Sequence, residues 1–150
     1  MALCKRGCVL LILILASACS GSDSTTSPSS PAFMSLAGSW AGVGSDSSGP
    51  GNLSVTLSQS GGNITGPGRI SIPSSTVVGS GTFTGSLSGT TLTFSFAIPV
   101  GGFSTPFQTC SAILNGTATN VTATSIVGTY TGTNSCSGPF TNGTITLTKQ

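Results

Sequence analysis

Few side chains in this chain can transfer a proton or attack a substrate. The sequence has no histidine, and its two acidic residues are Asp23 and Asp46. Past residue 35 the other candidates for acid–base work are Tyr130, Lys149 and two cysteines. A serine nucleophile needs a base, and only Asp46 or the near-terminal Lys149 could serve. Since Asp46 lies in a turn-rich segment, where its carboxylate is expected to bond to backbone amides, we predict no catalytic residue and no enzyme activity.

The first residues have the anatomy of a secretory signal. Lys5 and Arg6 give a charged start, an unbroken aliphatic run covers 9–15, and small residues follow. The apolar run is too short to cross a bilayer as a helix, which needs roughly 20 residues. We therefore predict that residues 1–18 are a signal peptide that is removed from the mature protein.

The end of this leader, Leu15-Ala16-Ser17-Ala18-Cys19, resembles the lipobox of bacterial lipoproteins. The commonest lipobox has Leu where Ala16 stands and often Gly before the cysteine. The resemblance implies a diacylglyceryl thioether on Cys19, cleavage before it and acylation of the new amino group, which together give stable membrane anchoring. Ser20 stands where the family uses Asp for inner-membrane retention, so the outer membrane is implied for a Gram-negative source. The alternative is an ordinary signal peptide that leaves Cys19 free.

Two of the five cysteines remain for a disulfide in the mature chain. Cys4 and Cys8 leave with the leader and Cys19 carries lipid, so Cys110 and Cys136 are left. Disulfides persist in exported proteins, and we predict that this pair is bridged. Without histidine, two cysteines cannot complete a four-ligand zinc site, so neither a metal nor a cofactor is expected.

The mature chain is almost free of charge. Once the leader is removed, Arg69 and Lys149 oppose Asp23 and Asp46, so the side-chain charges sum to zero. Nucleic-acid binding needs clustered lysine and arginine, which this chain lacks, so no nucleic-acid partner is expected. Residues 19–35 are rich in serine, threonine and proline and cannot bury enough apolar surface to fold. They are predicted to tether a domain that covers 36–150.

From residue 36 onward the hydrophobic pattern has a period of two. Leu53, Val55 and Leu57 alternate with serine and threonine, and the alternation recurs over 91–98 and 144–148. This pattern is typical of antiparallel strands with one buried and one solvated face. The turn sequences between strands are Ser60-Gly-Gly-Asn63, Ser88-Gly89, Asn115-Gly116 or Thr119-Asn120, and Asn142-Gly143. The predicted strands are 37–44, 52–60, 63–72, 76–87, 90–98, 106–118, 121–132 and 140–148.

The eight predicted strands are sequential and closely spaced, so we predict an all-β, antiparallel up-and-down barrel. Closure removes exposed strand edges, which this chain has few lysines to protect; a β-sandwich is the alternative. Pro67 cannot donate to a ladder, so a bulge or break is expected in the third strand. The predicted inward side chains are Trp40, Leu53, Val55, Leu57, Ile70, Phe83, Leu87, Leu92, Phe94, Phe96, Leu114, Tyr130, Ile145 and Leu147.

A Gly-x-aromatic-x-Gly pattern surrounds Trp40, Phe83 and Tyr130. At a period of two, each set points to one face, so the rings fill the space that the glycines leave in a narrow core. The other interpretation makes the three rings a stacking platform for a sugar or a lipid.

The segment Leu36-Ala-Gly38-Ser-Trp40 and the short, glycine-studded strands after it resemble the avidin and lipocalin group of ligand-binding barrels. The resemblance implies a small barrel in which a basic residue near the last strand packs on the first-strand tryptophan. Lys149 is the candidate by position, because Arg69 is expected to face outward. Avidins hold biotin with polar side chains and further tryptophans, whereas this chain has a single Trp. Biotin binding is therefore not expected.

One apolar connection is a candidate for binding. Residues 96–107 include Phe103 and Phe107, and Phe140 follows a second loop. A Cys110–Cys136 bridge would bring these segments together at one end of the barrel. There the rings either plug the barrel or form an apolar rim that accepts an acyl chain or a partner protein.

Two functional hypotheses follow. In the first, a lipid-anchored, non-catalytic module contacts an envelope protein or a wall polymer through a polar Ser/Thr surface. In the second, the barrel carries a small apolar ligand inside it or at its mouth. The candidate contact residues are Trp40, Phe83, Phe103, Phe107, Tyr130 and Phe140. We expect a filled interior, and a void of several hundred Å3, roughly the scale of known ligand pockets, would favour the second hypothesis.

Overall fold

The computed structural model describes residues 33–150; the signal peptide, Cys19 and most of the tether lie outside this range. Each strand pairs antiparallel with the next, and the last pairs with the first, so the sheet closes into a barrel. This confirms the predicted eight-stranded up-and-down barrel, and the sandwich alternative is not formed. Its strands are β1 (Gly38–Asp46), β2 (Gly49–Ser60), β3 (Asn63–Ser71), β4 (Val78–Ser88), β5 (Thr91–Ile98), β6 (Ala112–Ala118), β7 (Ser125–Asn134) and β8 (Gly138–Lys149).

The interior of the barrel is filled by the alternating apolar side chains. Every side chain that was predicted to face inward belongs to this core; all are buried except Ile70 and Leu114, which are partly buried against it. Arg69 is exposed, as expected from its position in β3. Leu36 and Phe103 join the core from outside the strands. The described residues contain no helix that is long and apolar enough to span a bilayer.

Strand β6 begins later than predicted, because residues 99–110 form a loop in which several backbone amides donate to carbonyls of the same loop. The amides of Gly102, Phe107 and Cys110 each donate to the carbonyl three residues earlier. These amides are not available to a ladder with β5. Strand β7 also begins later than predicted, because the amide of Val121 donates to Thr90 instead of joining the sheet.

Two of the predicted turn sequences lie inside strands. Asn115-Gly116 is part of β6, and the chain leaves the sheet at the alternative, Thr119-Asn120, where Asn120 has a φ of 57°. Asn142-Gly143 is part of β8, where the register against β7 shifts between Tyr130 and Gly132. The left-handed φ of 56° at Asn142 accommodates this bulge. The chain reverses at residues 135–137 instead.

Pro67 interrupts one ladder of β3 without shifting its register. On the β4 side, pairing continues through Pro67 and Thr82. On the β2 side, the paired positions stop at Val55–Gly68 and resume in the same register at Ser58–Thr65. The predicted break is therefore present on one side only, and the alternative, a bulge, is not formed.

The base of the barrel is the end formed by residues 33–37 and the connections 61–62, 89–90 and 119–124. Leu36 plugs this end and is fully buried. Its amide donates to Oε1 of Gln59 over 2.6 Å, and its carbonyl accepts from Nε1 of Trp40 over 2.8 Å. These two bonds hold the segment before β1 across the base of the barrel.

The last residue of β8 covers the buried tryptophan at the base. Nζ of Lys149 lies 5.6 Å from the centroid of the Trp40 ring, within the range of a cation–π contact. Gly38 makes this possible, because a Cβ there would lie 2.9 Å from Cε of Lys149. The contact that the barrel resemblance implied between the tryptophan and Lys149 is present.

The mouth is the opposite end, formed by the connections 47–48, 72–77, 99–111 and 135–137. A disulfide between Cys110 and Cys136, whose Cα atoms are 5.6 Å apart, joins the last two of these connections. The predicted pairing is confirmed. It brings the loop that carries Phe103 next to the strand that carries Phe140.

Candidate functional site

A cavity of about 190 Å3 lies at the mouth and is partly open to solvent. Its volume is below the roughly 300–1,000 Å3 of typical ligand pockets, so the barrel interior is largely filled, as expected. The apolar part of its wall is formed by Pro50, Leu53, Ile70, Ile72, Phe103, Ala112, Leu114, Phe140 and Ile145. Its polar side chains are Asp46, Ser48, Asn52, Ser71, Tyr130, Asn134 and Ser137.

Tyr130 forms the inner wall of this mouth cavity. Its ring lies against Gly143, where a Cβ would come within 2.5 Å of two ring carbons, so the bulged part of β8 must carry glycine here. Phe140 meets the Tyr130 ring edge to face, with 6.2 Å between the centroids. The Tyr130 hydroxyl donates to Oδ2 of Asp46 over 2.9 Å. The phenol is therefore fixed in position by packing and by a hydrogen bond.

Asp46 is the functional candidate whose role the sequence analysis missed. Its Oδ1 accepts from the Ser48 amide over 2.7 Å, which confirms the predicted turn role. Its Oδ2, however, accepts from the hydroxyl of Tyr130 on β7, which is separated from β1 by β8 alone. The alternation of side chains along β1 could have indicated this inward position, because Asp46 is an even number of positions after the inward-facing Trp40. The carboxylate therefore stands on the cavity wall.

The environment of Tyr130 raises the pKa of its hydroxyl well above the ordinary value. Burial is the main cause, because it disfavours the charged phenolate. The hydrogen bond to Asp46 and the negative charge of that carboxylate add to the increase. The phenol is thus held in its neutral, donating form beside Asp46.

We predict that Tyr130 ionises only well above pH 10, its ordinary pKa being 10.0. It is the single tyrosine of the chain, so tyrosinate absorbance in a pH titration reports on it alone. Because the pKa is higher in the folded state, the associated stability is complete below about pH 10 and is lost as pH rises further. Asp46→Asn should lower the pKa of Tyr130, but not to its ordinary value, because the hydroxyl stays buried. A wild-type titration at the ordinary value would contradict this account.

Three of the six predicted contact residues, Phe103, Tyr130 and Phe140, line the mouth cavity. The structure does not bring the other three to this cavity. Trp40 is buried at the base, and Phe83 is buried in the core, stacked on Phe94 with 5.4 Å between the ring centroids. The interpretation of the glycine-flanked rings as core packing therefore describes these two.

The apolar loop at the mouth divides its phenylalanines between two roles. Phe103 is 6% exposed and forms an isolated bridge to Gly79 of β4. Phe107 is 42% exposed and does not line the cavity. Plugging of the barrel end, one of the two predicted outcomes, therefore applies to Phe103 and not to Phe107.

We expect Phe103→Ala to destabilise the protein by about 2–3 kcal/mol, below the usual range for buried phenylalanine because the loop can settle into the adjoining cavity. Phe107→Ala is the matched control on the same loop, and its exposed ring should contribute less than about 0.5 kcal/mol. Urea denaturation followed by the fluorescence of the single tryptophan measures both. Equal losses in the two variants would contradict the division of roles.

The arrangement at the mouth suits binding, since an apolar wall surrounds a single carboxylate and a fixed phenol. Among residues 33–150 no group of three or more His, Cys, Asp or Glu side chains gathers to form a metal ligand set. No protein-family model, curated protein or solved structure matches the chain.

Proposed function

We propose that this protein is a non-catalytic module of the bacterial cell envelope, anchored by lipid on Cys19, that contacts a wall polymer through its Ser/Thr surface. The observation that carries the proposal is a row of exposed hydroxyls on the outer face of the barrel. Strand pairing places these side chains opposite one another across six adjacent strands. The row consists of Ser86, Thr93, Thr117, Thr129, Thr144 and Ser45.

The spacing of this hydroxyl row suits a repeating partner. Neighbouring strands are about 4.8 Å apart, so the row presents one hydroxyl at each such interval. Serine and threonine hydroxyls donate and accept hydrogen bonds. A polymer with regularly placed hydroxyl or amide groups can therefore bond to several of them at once.

The near absence of charge on the outer face supports contact through uncharged hydroxyl groups. The charged side chains of residues 33–150 are Asp46, Arg69 and Lys149. Lys149 covers Trp40, and Asp46 bonds to Tyr130 inside the mouth. Arg69 is thus the one charged side chain on the outer face of the described barrel. Binding through hydroxyls should consequently change little with salt, because salt screens charges.

Cosedimentation of the mature, lipidated chain with insoluble peptidoglycan, in detergent micelles, tests the contact. Thr117 and Thr129 form a cross-strand pair in the row, and replacing both by glutamate should abolish most of the sedimentation. The control replaces Ser58 and Thr65, a cross-strand pair outside the row, by glutamate. Both variants introduce the same like-charge pair. Equal retention, or no binding by the unaltered protein, would overturn the polymer contact and direct the search to an envelope protein.

Lipid attachment has its own test. Cells that express the full chain in the presence of labelled palmitate should incorporate the label into the protein, and Cys19→Ser should abolish incorporation. The same variant should leave the membrane fraction, because loss of the acyl chains removes the anchor. Unchanged membrane association of the Cys19→Ser protein would contradict anchoring by lipid.

A second candidate function is the carriage of a small apolar ligand, held at the mouth of the barrel rather than in a large internal void. The wall of the mouth cavity is formed mainly by aliphatic and aromatic side chains, and the loop behind it is fixed by the Cys110–Cys136 disulfide. Native mass spectrometry of the mature, disulfide-bonded chain should then detect a co-purified small molecule. Its release on replacing Leu114 by tryptophan, which would fill the cavity, would support the assignment.

A further inference from the structure

We propose that the mouth cavity binds a compact apolar amine, with the ammonium group at Asp46 and the hydrocarbon part between Phe103, Tyr130 and Phe140. The proposal rests on the second candidate function and names its ligand class. It follows from the volume of the cavity, the charge on its wall and the orientation of the rings.

The volume sets the size of the ligand. The cavity measures about 190 Å3, and an engineered apolar cavity of about 150 Å3 in another protein binds benzene. A six-membered ring with one or two further heavy atoms therefore fits. An acyl chain of a membrane lipid is too long to be enclosed.

The charge on the cavity wall determines the sign of the charge that a ligand can carry. Asp46 is the one carboxylate side chain of residues 33–150, and no lysine or arginine lines the cavity. The Ser48 amide and the Tyr130 hydroxyl each donate one bond to this carboxylate. An ionised carboxylate has about four acceptor positions, so acceptor capacity remains for an ammonium donor. An anionic ligand would be repelled by the same group.

The rings form an apolar wall beside the carboxylate. The phenol of Tyr130 is fixed against Gly143 and meets Phe140 edge to face, so ring faces and edges of known orientation border the cavity. An ammonium at Asp46 thus gains a charge-assisted hydrogen bond and lies beside an aromatic wall.

Calorimetric titration of the mature, disulfide-bonded chain with three probes tests the proposal. Benzylammonium, toluene and benzoate share one ring and differ in charge. We expect benzylammonium to bind about tenfold more tightly than toluene, as one partly exposed charge-assisted hydrogen bond would give, and benzoate to bind more weakly than toluene. Asp46→Asn should remove the preference for benzylammonium over toluene.

The possible results separate this proposal from the carrier function beneath it. Equal affinity for toluene and benzylammonium, or a preference that survives Asp46→Asn, overturns the amine proposal and leaves the carrier function standing. Absence of binding by all three probes overturns both. A measurement on the unaltered protein guards against misfolding of the variant: the amide resonance of Ser48, which donates to Asp46, should shift more with benzylammonium than with toluene. Equal shifts would also overturn the amine proposal.

Discussion

Replacing Cys110 and Cys136 together by serine is expected to lower the free energy of unfolding by about 3–4 kcal/mol. The two residues are 26 positions apart in the chain, and the entropy of closing a loop of that length in the unfolded state accounts for about this value. Such a loss is a large part of the roughly 5–15 kcal/mol that stabilises a typical domain. The melting temperature should fall by roughly 10–20 °C.

Urea denaturation of the oxidised protein, the reduced protein and the double-serine variant measures this effect. Reduction of the unaltered protein should produce the same loss as the two substitutions, and a reductant should not destabilise the double-serine variant further. Ser111→Ala and Ser137→Ala, beside the two cysteines, are the control pair and should cost far less. A loss below about 1 kcal/mol would mean that the unfolded chain is not constrained as the loop-closure account requires.

The barrel itself could be predicted because the sequence repeats one simple signal. Over 53–58 of β2 and 144–148 of β8, apolar side chains alternate with serine and threonine. A face of hydroxyls and a face of aliphatic groups can be satisfied together only when one face is solvated and the other is packed. Short connections and few edge-protecting charges then favour closure of the sheet.

The Asp46–Tyr130 pair was beyond prediction although parity placed both side chains inside. Their contact depends on how far the two strands slide past each other, and β8 lies between them in the ring. The bulge at Asn142 shifts that register by bringing Tyr130 opposite Gly143. The sequence offered Asn142-Gly143 as a turn, since both turns and bulges favour residues that tolerate a positive φ. Asn142-Gly143 therefore did indicate a residue with positive φ, but pairing with β7 made the site a bulge and not a turn.

The cavity and the division of roles between Phe103 and Phe107 were also hidden. A volume of about 190 Å3 depends on how side chains from separate strands interlock, whereas alternation reports only the face to which each side chain belongs. The apolar loop contained no alternation at all. Its shape follows from hydrogen bonds within 99–110 and from the bridge between Phe103 and Gly79.

The base of the barrel gives the largest expected effect of a single substitution. Trp40→Ala should destabilise the protein by about 4–5 kcal/mol, toward the upper end of the range for large buried aromatic residues. The side chain is 1% exposed, so its removal leaves a cavity in the core. It also leaves the Leu36 carbonyl without the Nε1 donor, so the segment that plugs the base loses one of the three hydrogen bonds that it makes with Gln59 and Trp40.

Two conservative variants apportion this effect between packing, the hydrogen bond and the cation. Trp40→Phe keeps a ring but lacks the Nε1 donor and should cost about 1–3 kcal/mol for the unpaired carbonyl. Lys149→Met keeps the aliphatic stem over the ring and removes the charge, which should cost less than about 1 kcal/mol. Because Trp40 is the only tryptophan, unfolding must be followed by circular dichroism in urea. Because the Trp40 ring is buried in the core, Trp40→Ala should lower the free energy of unfolding severalfold more than Lys149→Met does. Equal losses in the two variants would show that the ring contributes little to the stability of the barrel.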